Sequence, residues 1–288
     1  MDACTLCPRM CGVNRAAGEK GYCGMDATIR AARAALHMWE EPCISGTQGS
    51  GAVFFSGCSL RCIFCQNFEI AEGNCAKEIS GERLSEIFLE LQEQGAANIN
   101  LVTAAHYVPA VIESLKKAKA QGMDLPVIYN SSGYERVETV QMLEEVVDVW
   151  LPDFKYMDSK LAFAYSRAKD YPEVARAAIR EMMKAAGTCA YDEDGYIQKG
   201  VIVRHLILPG HTKNSIGTYG DDLTISLMNQ YTPLPQVWNI PDLNRRVTKR
   251  EYEKVLDHAL DLGITQGFFQ EGGTAKESFI PLFDYEGL

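Results

Sequence analysis

From residue 51 onward, short apolar stretches rich in β-branched and aromatic residues alternate with longer stretches whose apolar positions recur every three to four residues. The candidate strands are Ala52 to Phe55, Asn98 to Thr103, Pro126 to Tyr129, Asp148 to Asp153, Val201 to Ile207 and Thr224 to Gln230. Between the first two lies GERLSEIFLELQEQG, where Leu84, Ile87, Phe88 and Leu91 form one helical stripe and Gly95 sits where a helix should stop. VPAVIESLKKAKAQG closes with lysines and Gly122, and YPEVARAAIREMMKAAG opens behind Asp170 and ends at Gly187. A strand that leaves through a helix and returns to the same sheet must lie parallel to its predecessor, with a right-handed crossover and the helix outside. The pattern therefore predicts an α/β fold, as an open doubly wound sheet or a partial barrel. Composition does not choose between the two.

In both arrangements ligands gather beyond the carboxyl ends of the strands. Those ends carry Gly57 with a cysteine loop, Thr103 to Tyr107, Asn130 to Gly133, Asp153 with Lys155, Arg204 with His205, and Gln230 with Tyr231. Polar side chains recur at every end, which predicts a polar site in the mouth. Asp153 and Lys155 are two residues apart on one strand and so share a side of the pleat.

With 288 residues, 47% of them hydrophobic, the chain can bury a full core. No stretch approaches the ~20 apolar residues that span a bilayer, and MDACTLCPRM has neither a basic nor an apolar leader region. The expected location is the cytoplasm, where ten cysteines stay reduced and clusters of them are better read as metal or redox ligands. A net charge of −10 without a dense Lys/Arg block argues against nucleic acid as the main partner. Residues 1–50 hold five cysteines, four of them before residue 24, and little periodicity apart from TIRAARAALHMW, and are read as a Cys-rich, metal-binding appendage to a unit spanning 51–288.

The segment GCSLRCIFCQN places Cys58, Cys62 and Cys65 in a C-x3-C-x2-C spacing straight after the first strand. Structural zinc is closed by four ligands and disulfides need pairs, so a compact trio suggests a metal site with one position left open. A four-iron cubane held by three thiolates would leave one iron free. The alternatives are a zinc knuckle completed by a histidine or distant cysteine, or three unrelated buried thiols.

Phe64 fills the aromatic place just before Cys65, and on this C-x3-C-x-aromatic-C motif the chain resembles the radical SAM superfamily. The resemblance is close to pyruvate formate-lyase (glycyl-radical enzyme) activating enzymes, in which C-x-L-R-C-x-F-C-Q-N is typical, and the similarity extends over most of the chain. The resemblance implies a partial (β/α)6 barrel and a [4Fe-4S] cluster on Cys58, Cys62 and Cys65. It also implies S-adenosylmethionine on the free iron, cleaved by one electron to a 5′-deoxyadenosyl radical that abstracts a hydrogen atom. The implied partners are a glycyl-radical enzyme or another protein or peptide, and an electron donor such as flavodoxin or ferredoxin. Many members carry Gly-Gly-Glu after the second strand; here LVTAAHYVP offers Thr103 and His106 instead. IYNSSGYE looks like the family's Asp-Thr-Asn-Gly segment, so Asn130, Ser131 and Ser132 would line the ribose and methionine, with Asn in place of Asp. DVWLPDFKYMD resembles the activases' Asp-x-Lys, which makes Asp153 and Lys155 site residues rather than a surface ion pair. Arg204 matches a family arginine near the cofactor, Gln230 enters the same mouth, and His205 is alternatively a core histidine. HTKNSIGTYGDD is shorter than the usual helical connection.

Cys4, Cys7, Cys11 and Cys23 form a C-x2-C-x3-C-x11-C set, complete for a structural zinc or an auxiliary iron–sulfur cluster, with a redox dithiol at Cys4 and Cys7 as the rival. Cys43, Cys75 and Cys189 read as packed thiols. GTQGSG and EGGTAK lack the context of a phosphate loop, His258 lies on a charged helix, and Trp39-Glu40-Glu41 is a candidate to close over the mouth. The other functions kept open are radical modification of a peptide or small metabolite, and a non-catalytic iron–sulfur protein that carries electrons or binds a partner.

Overall fold

The computed structural model describes residues 3–212, 223–264, 266–270 and 280–288. Among the described residues ten strands join one sheet: β1 Arg30–His37, β2 Ser50–Phe55, β3 Lys77–Glu78, β4 Ile99–Val102, β5 Val127–Ser131, β6 Val149–Pro152, β7 Ala190–Tyr191, β8 Ile197–Leu206, β9 Thr224–Met228 and β10 Gly267–Phe269. The helices are α1 Pro42–Ser45, α2 Phe68–Ala71, α3 Gly81–Glu93, α4 Val108–Ala120, α5 Val137–Leu143, α6 Ser159–Ser166, α7 Tyr171–Ala186 and α8 Lys249–Asp261. HTKNSIGTYGDD from residue 213 onward and EGGTAK lie outside the described residues.

All six expected strands are present and parallel, in the order β2-β4-β5-β6-β8-β9. Each crossover adds its strand on the same side, so the order never reverses. A doubly wound sheet requires such a reversal, and the progression is that of a partial barrel. β10 extends it as a further parallel strand beside β9. The other flank is closed by β1, antiparallel to β2 with Ala35 opposite Ala52. Arg30–His37 thus belongs to the sheet, although its sequence fell within the segment read as an appendage. Its alternation was masked because the small Ala31, Ala32, Ala34 and Ala35 are buried on both faces.

β2, β4, β5, β6 and β9 are buried at every position, as expected of strands covered on both faces. Helix α3 buries Leu84, Ile87, Phe88 and Leu91, and its first turn is capped by Ser80, whose hydroxyl accepts from the Arg83 N–H. Each such side chain contributes about 1.5–3 kcal/mol by leaving water. Helix α7 turns Ala175, Ala178, Ile179 and Met182 inward. Small residues there let the helix approach the sheet closely. Among the described residues no helix is long and apolar enough to cross a membrane.

Candidate active site at the strand ends

All six parallel strands deliver side chains to one cavity of about 200 Å³: Phe55 and the cysteine loop, Thr103, Asn130 with Ser131 and Ser132, Asp153 with Lys155, Arg204, and Gln230. Its floor is an ion-pair network. Lys155 Nζ lies 2.6 Å from Asp153 Oδ2, and Arg204 Nε lies 3.1 Å from Asp153 Oδ1. The side chains of Asp153 and Lys155 are each only 16% exposed, so they are a site pair and not a surface one. Burial opposes the charge of both; Lys155 and Arg204 nevertheless hold Asp153 below the usual carboxylate range, and Asp153 raises Lys155.

A member that sequence reasoning did not assign is Glu40, on the segment after β1. Glu40 Oε2 lies 2.9 Å from Arg204 Nη1, and its Oε1 accepts from Asn130 Nδ2 at 3.1 Å and Asn100 Nδ2 at 3.2 Å. Arg204 Nη2 donates in turn to Asn130 Oδ1 at 2.5 Å. One carboxylate therefore ties the ends of β4, β5 and β8 together. The signal available was two adjacent carboxylates following an aromatic, and it pointed to a cover; Glu40 instead reaches inward while Trp39 stays 57% exposed at the rim.

Local backbone geometry supports these positions. Thr103 has φ +63, a conformation rare for a β-branched residue, and its N–H donates to Asn130 O at 2.9 Å. Gly133 has φ +73, and a Cβ there would come within 2.2 Å of Asp153 O, so only glycine lets the β5 turn pass beneath the β6 end. The Tyr171 hydroxyl accepts from the Lys155 N–H and lies 2.9 Å from the carbonyls of both Ser132 and Asp153, joining the same two ends.

The sequence assignment of His106 to the mouth is corrected. His106 is 3% exposed and absent from the cavity wall; its Nε2 meets Ser56 O at 2.7 Å, behind the start of the cysteine loop. The helical turn Ala105–Tyr107 swings it away from the strand axis. His205 is the core histidine of the two readings: its Nδ1 meets Phe154 O at 2.7 Å and it lines no part of the cavity. Tyr231 is also buried, with its hydroxyl donating to Leu243 O. It packs with Tyr156 and Tyr165 around the Phe64 ring, at centroid distances of 6.2–6.4 Å. Phe64 therefore anchors the loop in an aromatic cage while lining the cavity.

Cys58, Cys62 and Cys65 all line the cavity. The Leu60 N–H points at Cys58 Sγ at 3.4 Å, and Ser166 Oγ donates to Cys62 Sγ at 3.0 Å. Burial raises the Cys58 thiol and pushes Cys65 up to about 12, while the Lys155 ammonium pulls both down. Three sulfurs, donors aimed at them and a cation opposite form a donor set that fits an anionic iron–sulfur cluster. His37, the one histidine among the described lining residues, packs edge-on against Phe54 and is lowered to about 4 chiefly by burial, with Arg33 and Arg204 adding to it.

The four N-terminal cysteines lie near one another but line no described cavity; Cys4, Cys7 and Cys23 are buried and Cys11 is exposed. Among the described residues no group of three or more His, Cys, Asp or Glu is gathered as the ligand set of a single metal ion, at the loop or at the N-terminal segment. A second metal there rests on the spacing of the sequence. Cys43 is buried, and the sulfurs of Cys75 and Cys189 contact Phe283 O and Val201 O, as packed thiols do.

Comparison with known proteins adds three findings. The uncharacterized protein MJ0674 of Methanocaldococcus jannaschii is 29% identical over 270 residues, 89% of this chain and 74% of that protein. Crystal structures of Streptococcus suis SuiB, one bound to the precursor peptide SuiA and one to S-adenosylmethionine, align over 75% of this chain at 13% identity, with TM-scores of 0.47 and 0.46. The aligned part is less than half of SuiB, at 46% and 45%. Residues 45–168 match the family model described as a 4Fe-4S single cluster domain. That stretch contains the three loop cysteines and excludes the N-terminal four, and the cofactor it supports is a 4Fe-4S cluster.

Proposed function

We propose that the chain is a radical SAM enzyme. Its cluster, bound by Cys58, Cys62 and Cys65, would supply the electron that splits S-adenosylmethionine into methionine and a 5′-deoxyadenosyl radical able to take a hydrogen atom from a substrate. The observation that carries the reading is the placement of three thiols and a charge-balanced Lys155–Asp153–Arg204–Glu40 network in the wall of one cavity.

The methionine end of the cofactor is a zwitterion, and the network presents both signs. Lys155 and Arg204 are the groups to meet its carboxylate, and Asp153 and Glu40 to meet its ammonium. Because each of these already has a protein partner, the pocket is preorganised and little side-chain ordering is required on binding. Asn130, Ser131 and Ser132 offer donors and acceptors for the ribose hydroxyls, and Thr103 takes the place of the usual Gly-Gly-Glu run. Phe64 and its tyrosine cage exclude water from the loop.

For the substrate we propose the Cα–H of a glycyl loop on a partner enzyme, on the strength of the Cys58–Asn67 resemblance to the activating enzymes, with the reaction taking place in the cytoplasm. Anaerobic reconstitution followed by iron and sulfide counting, reduction and an assay for 5′-deoxyadenosine tests the chemistry. Roughly four irons and four sulfides per chain, with 5′-deoxyadenosine formed, are expected. Zinc without sulfide, or a reduced cluster that leaves S-adenosylmethionine intact, would defeat the proposal. Transfer of deuterium from a Cα-deuterated glycyl peptide into 5′-deoxyadenosine tests the substrate; deuterium arriving only from other peptides or small metabolites would replace it.

A further inference from the structure

Cys62 has a side-chain donor of its own. Ser166, the last residue of α6, is 1% exposed, and its hydroxyl lies 3.0 Å from Cys62 Sγ and 2.7 Å from the Tyr156 hydroxyl. A hydroxyl has one proton to give. With that proton on Cys62, a thiolate when it binds the cluster, Ser166 accepts from Tyr156. The result is a directed chain from Tyr156 through Ser166 to the sulfur, in which each bond polarises the next. At Cys58 the corresponding donor is the backbone N–H of Leu60, at the longer distance of 3.4 Å.

Ser166 is held in place from the N-terminal segment. The last carbonyls of a helix have no partner within it, and its C-terminal end is partially negative. α6 is capped by Arg167 at φ +51, and the Arg9 guanidinium fills that end: Nη2 donates to Ser166 O at 2.9 Å and Nη1 to Arg167 O at 2.6 Å. Its third donor, Nε, reaches Ser59 O at 2.9 Å, three residues before Cys62. One planar group therefore fixes both sides of the hydroxyl–sulfur contact, the helix that carries the donor and the loop that carries the acceptor. The Ile63 N–H donates to Tyr165 O at 2.9 Å and joins the same two elements directly. Tyr22 and Tyr134 pack against the guanidinium, with ring centroids 4.0 and 5.3 Å away.

We propose that Ser166 sets the reduction potential of the cluster through its hydrogen bond to Cys62, and that Arg9 is the positioning residue that holds this bond in place. The inference rests on the reading of the cysteine loop as a 4Fe-4S site. A donor on a ligand sulfur draws electron density off the cluster and so favours the reduced state, which carries one more negative charge. On reduction one electron enters and the cluster passes from the 2+ to the 1+ state; the Ser166 proton stays on its oxygen. The N-terminal segment thereby has a task that does not depend on which metal its cysteines hold: it adjusts how readily the loop takes up an electron.

The cluster-loaded full chain, free of S-adenosylmethionine, is titrated anaerobically with titanium(III) citrate and viologen mediators, and the reduced cluster is followed by electron paramagnetic resonance. Each electron the cluster takes up is one lost by titanium(III). The comparison is among wild type, Ser166→Ala, Ser166→Thr, Tyr156→Phe, Arg9→Lys and the double variant of Ser166→Ala with Arg9→Lys. The ratio of reduced to oxidised cluster is read within the loaded fraction, so a variant that loads less cluster still gives it. Ser166→Ala is expected to lower that ratio about tenfold at a given potential, ~59 mV for a one-electron couple, and Ser166→Thr, which keeps the hydroxyl, to restore it. Tyr156→Phe and Arg9→Lys should each lower it by a smaller factor. Lysine preserves the charge, so the Arg9 effect reports geometry, and it should add nothing once Ser166 is alanine. Equal potentials in wild type and Ser166→Ala would overturn the proposal, and additive shifts in the double variant would overturn the part of Arg9 in it. A wild-type chain that takes up no cluster would overturn the reading of the loop together with the proposal, whereas shifted potentials in a chain that leaves S-adenosylmethionine intact would uphold the proposal and remove only the radical chemistry.

Discussion

The chain carries two groups of cysteines, and the contrast between them is in their surroundings, not their number. The loop thiols of Cys58, Cys62 and Cys65 border a cavity; burial raises Cys58 and Cys65, and the Lys155 ammonium across the cavity opposes that rise. In the N-terminal group burial pushes Cys7 up to about 12, and the nearby Glu135 carboxyl raises it further. That group is embedded in a brace: Gly12 N–H donates to Cys4 O, Thr139 Oγ1 to Leu6 O, and Arg9 Nε to Ser59 O, which ties the segment to the cysteine loop. A thiol becomes a cluster ligand where room and positive charge coincide. The N-terminal thiols have the Arg15 guanidinium near Cys23 but line no described cavity, so they pack or wait for a metal that brings its own charge.

The largest expected effect separates the two groups directly. Cys65→Ser should abolish the cluster's visible absorption and all 5′-deoxyadenosine formation, whereas Cys7→Ser should keep both. Loss of the absorption in Cys7→Ser would dissolve the distinction. Next comes the floor of the cavity. Arg204→Leu leaves Glu40 buried without its cation and Asp153 with Lys155 alone, at a cost of ~3–5 kcal/mol, and should eliminate measurable S-adenosylmethionine binding by calorimetry. Glu40→Gln keeps the shape but removes one charge from the pair, and should weaken binding by ~1.5–3 kcal/mol, about ten- to a hundredfold; wild-type affinity in that variant would show that Glu40 is not part of the site.

The smallest effect concerns pH. His205 beneath the cavity and His106 beside the brace are both lowered from 6.5 to about 4, chiefly by burial. A depressed folded-state pKa means that the unfolded chain binds the proton more readily. The stability each contributes is complete above 6.5 and is lost as pH falls from there toward 4. His205→Gln and His106→Gln should each flatten the acid limb of the denaturation profile over that window by similar amounts. A steeper limb in either variant would contradict the assignment of that histidine as neutral in the fold.

Much of this architecture was legible from the chain because local signals agreed with one another. The six parallel strands, α3 with its apolar stripe, and α7 with its Gly187 stop follow from periodicity and stop signals. The strand-end rule then gathered Thr103, Asn130, Ser131, Ser132, Asp153, Lys155, Arg204 and Gln230 into one cavity. What escaped was non-local. The β1 alanines read as featureless until β2 is beside them. Glu40 acquires a meaning only when Arg204, 164 residues away, folds back against it. His106 was misplaced because position after a strand does not specify which way a tight helical turn directs its second residue.

The central claim is that protein thiolates leave one corner of the cluster open for S-adenosylmethionine in the cavity of Lys155 and Asp153. Electron paramagnetic resonance of the reduced, reconstituted protein, with and without S-adenosylmethionine carrying a 15N amino group, tests it most directly. A changed cluster signal with hyperfine coupling to that nitrogen is the predicted result. An unaltered signal with no coupling would contradict it.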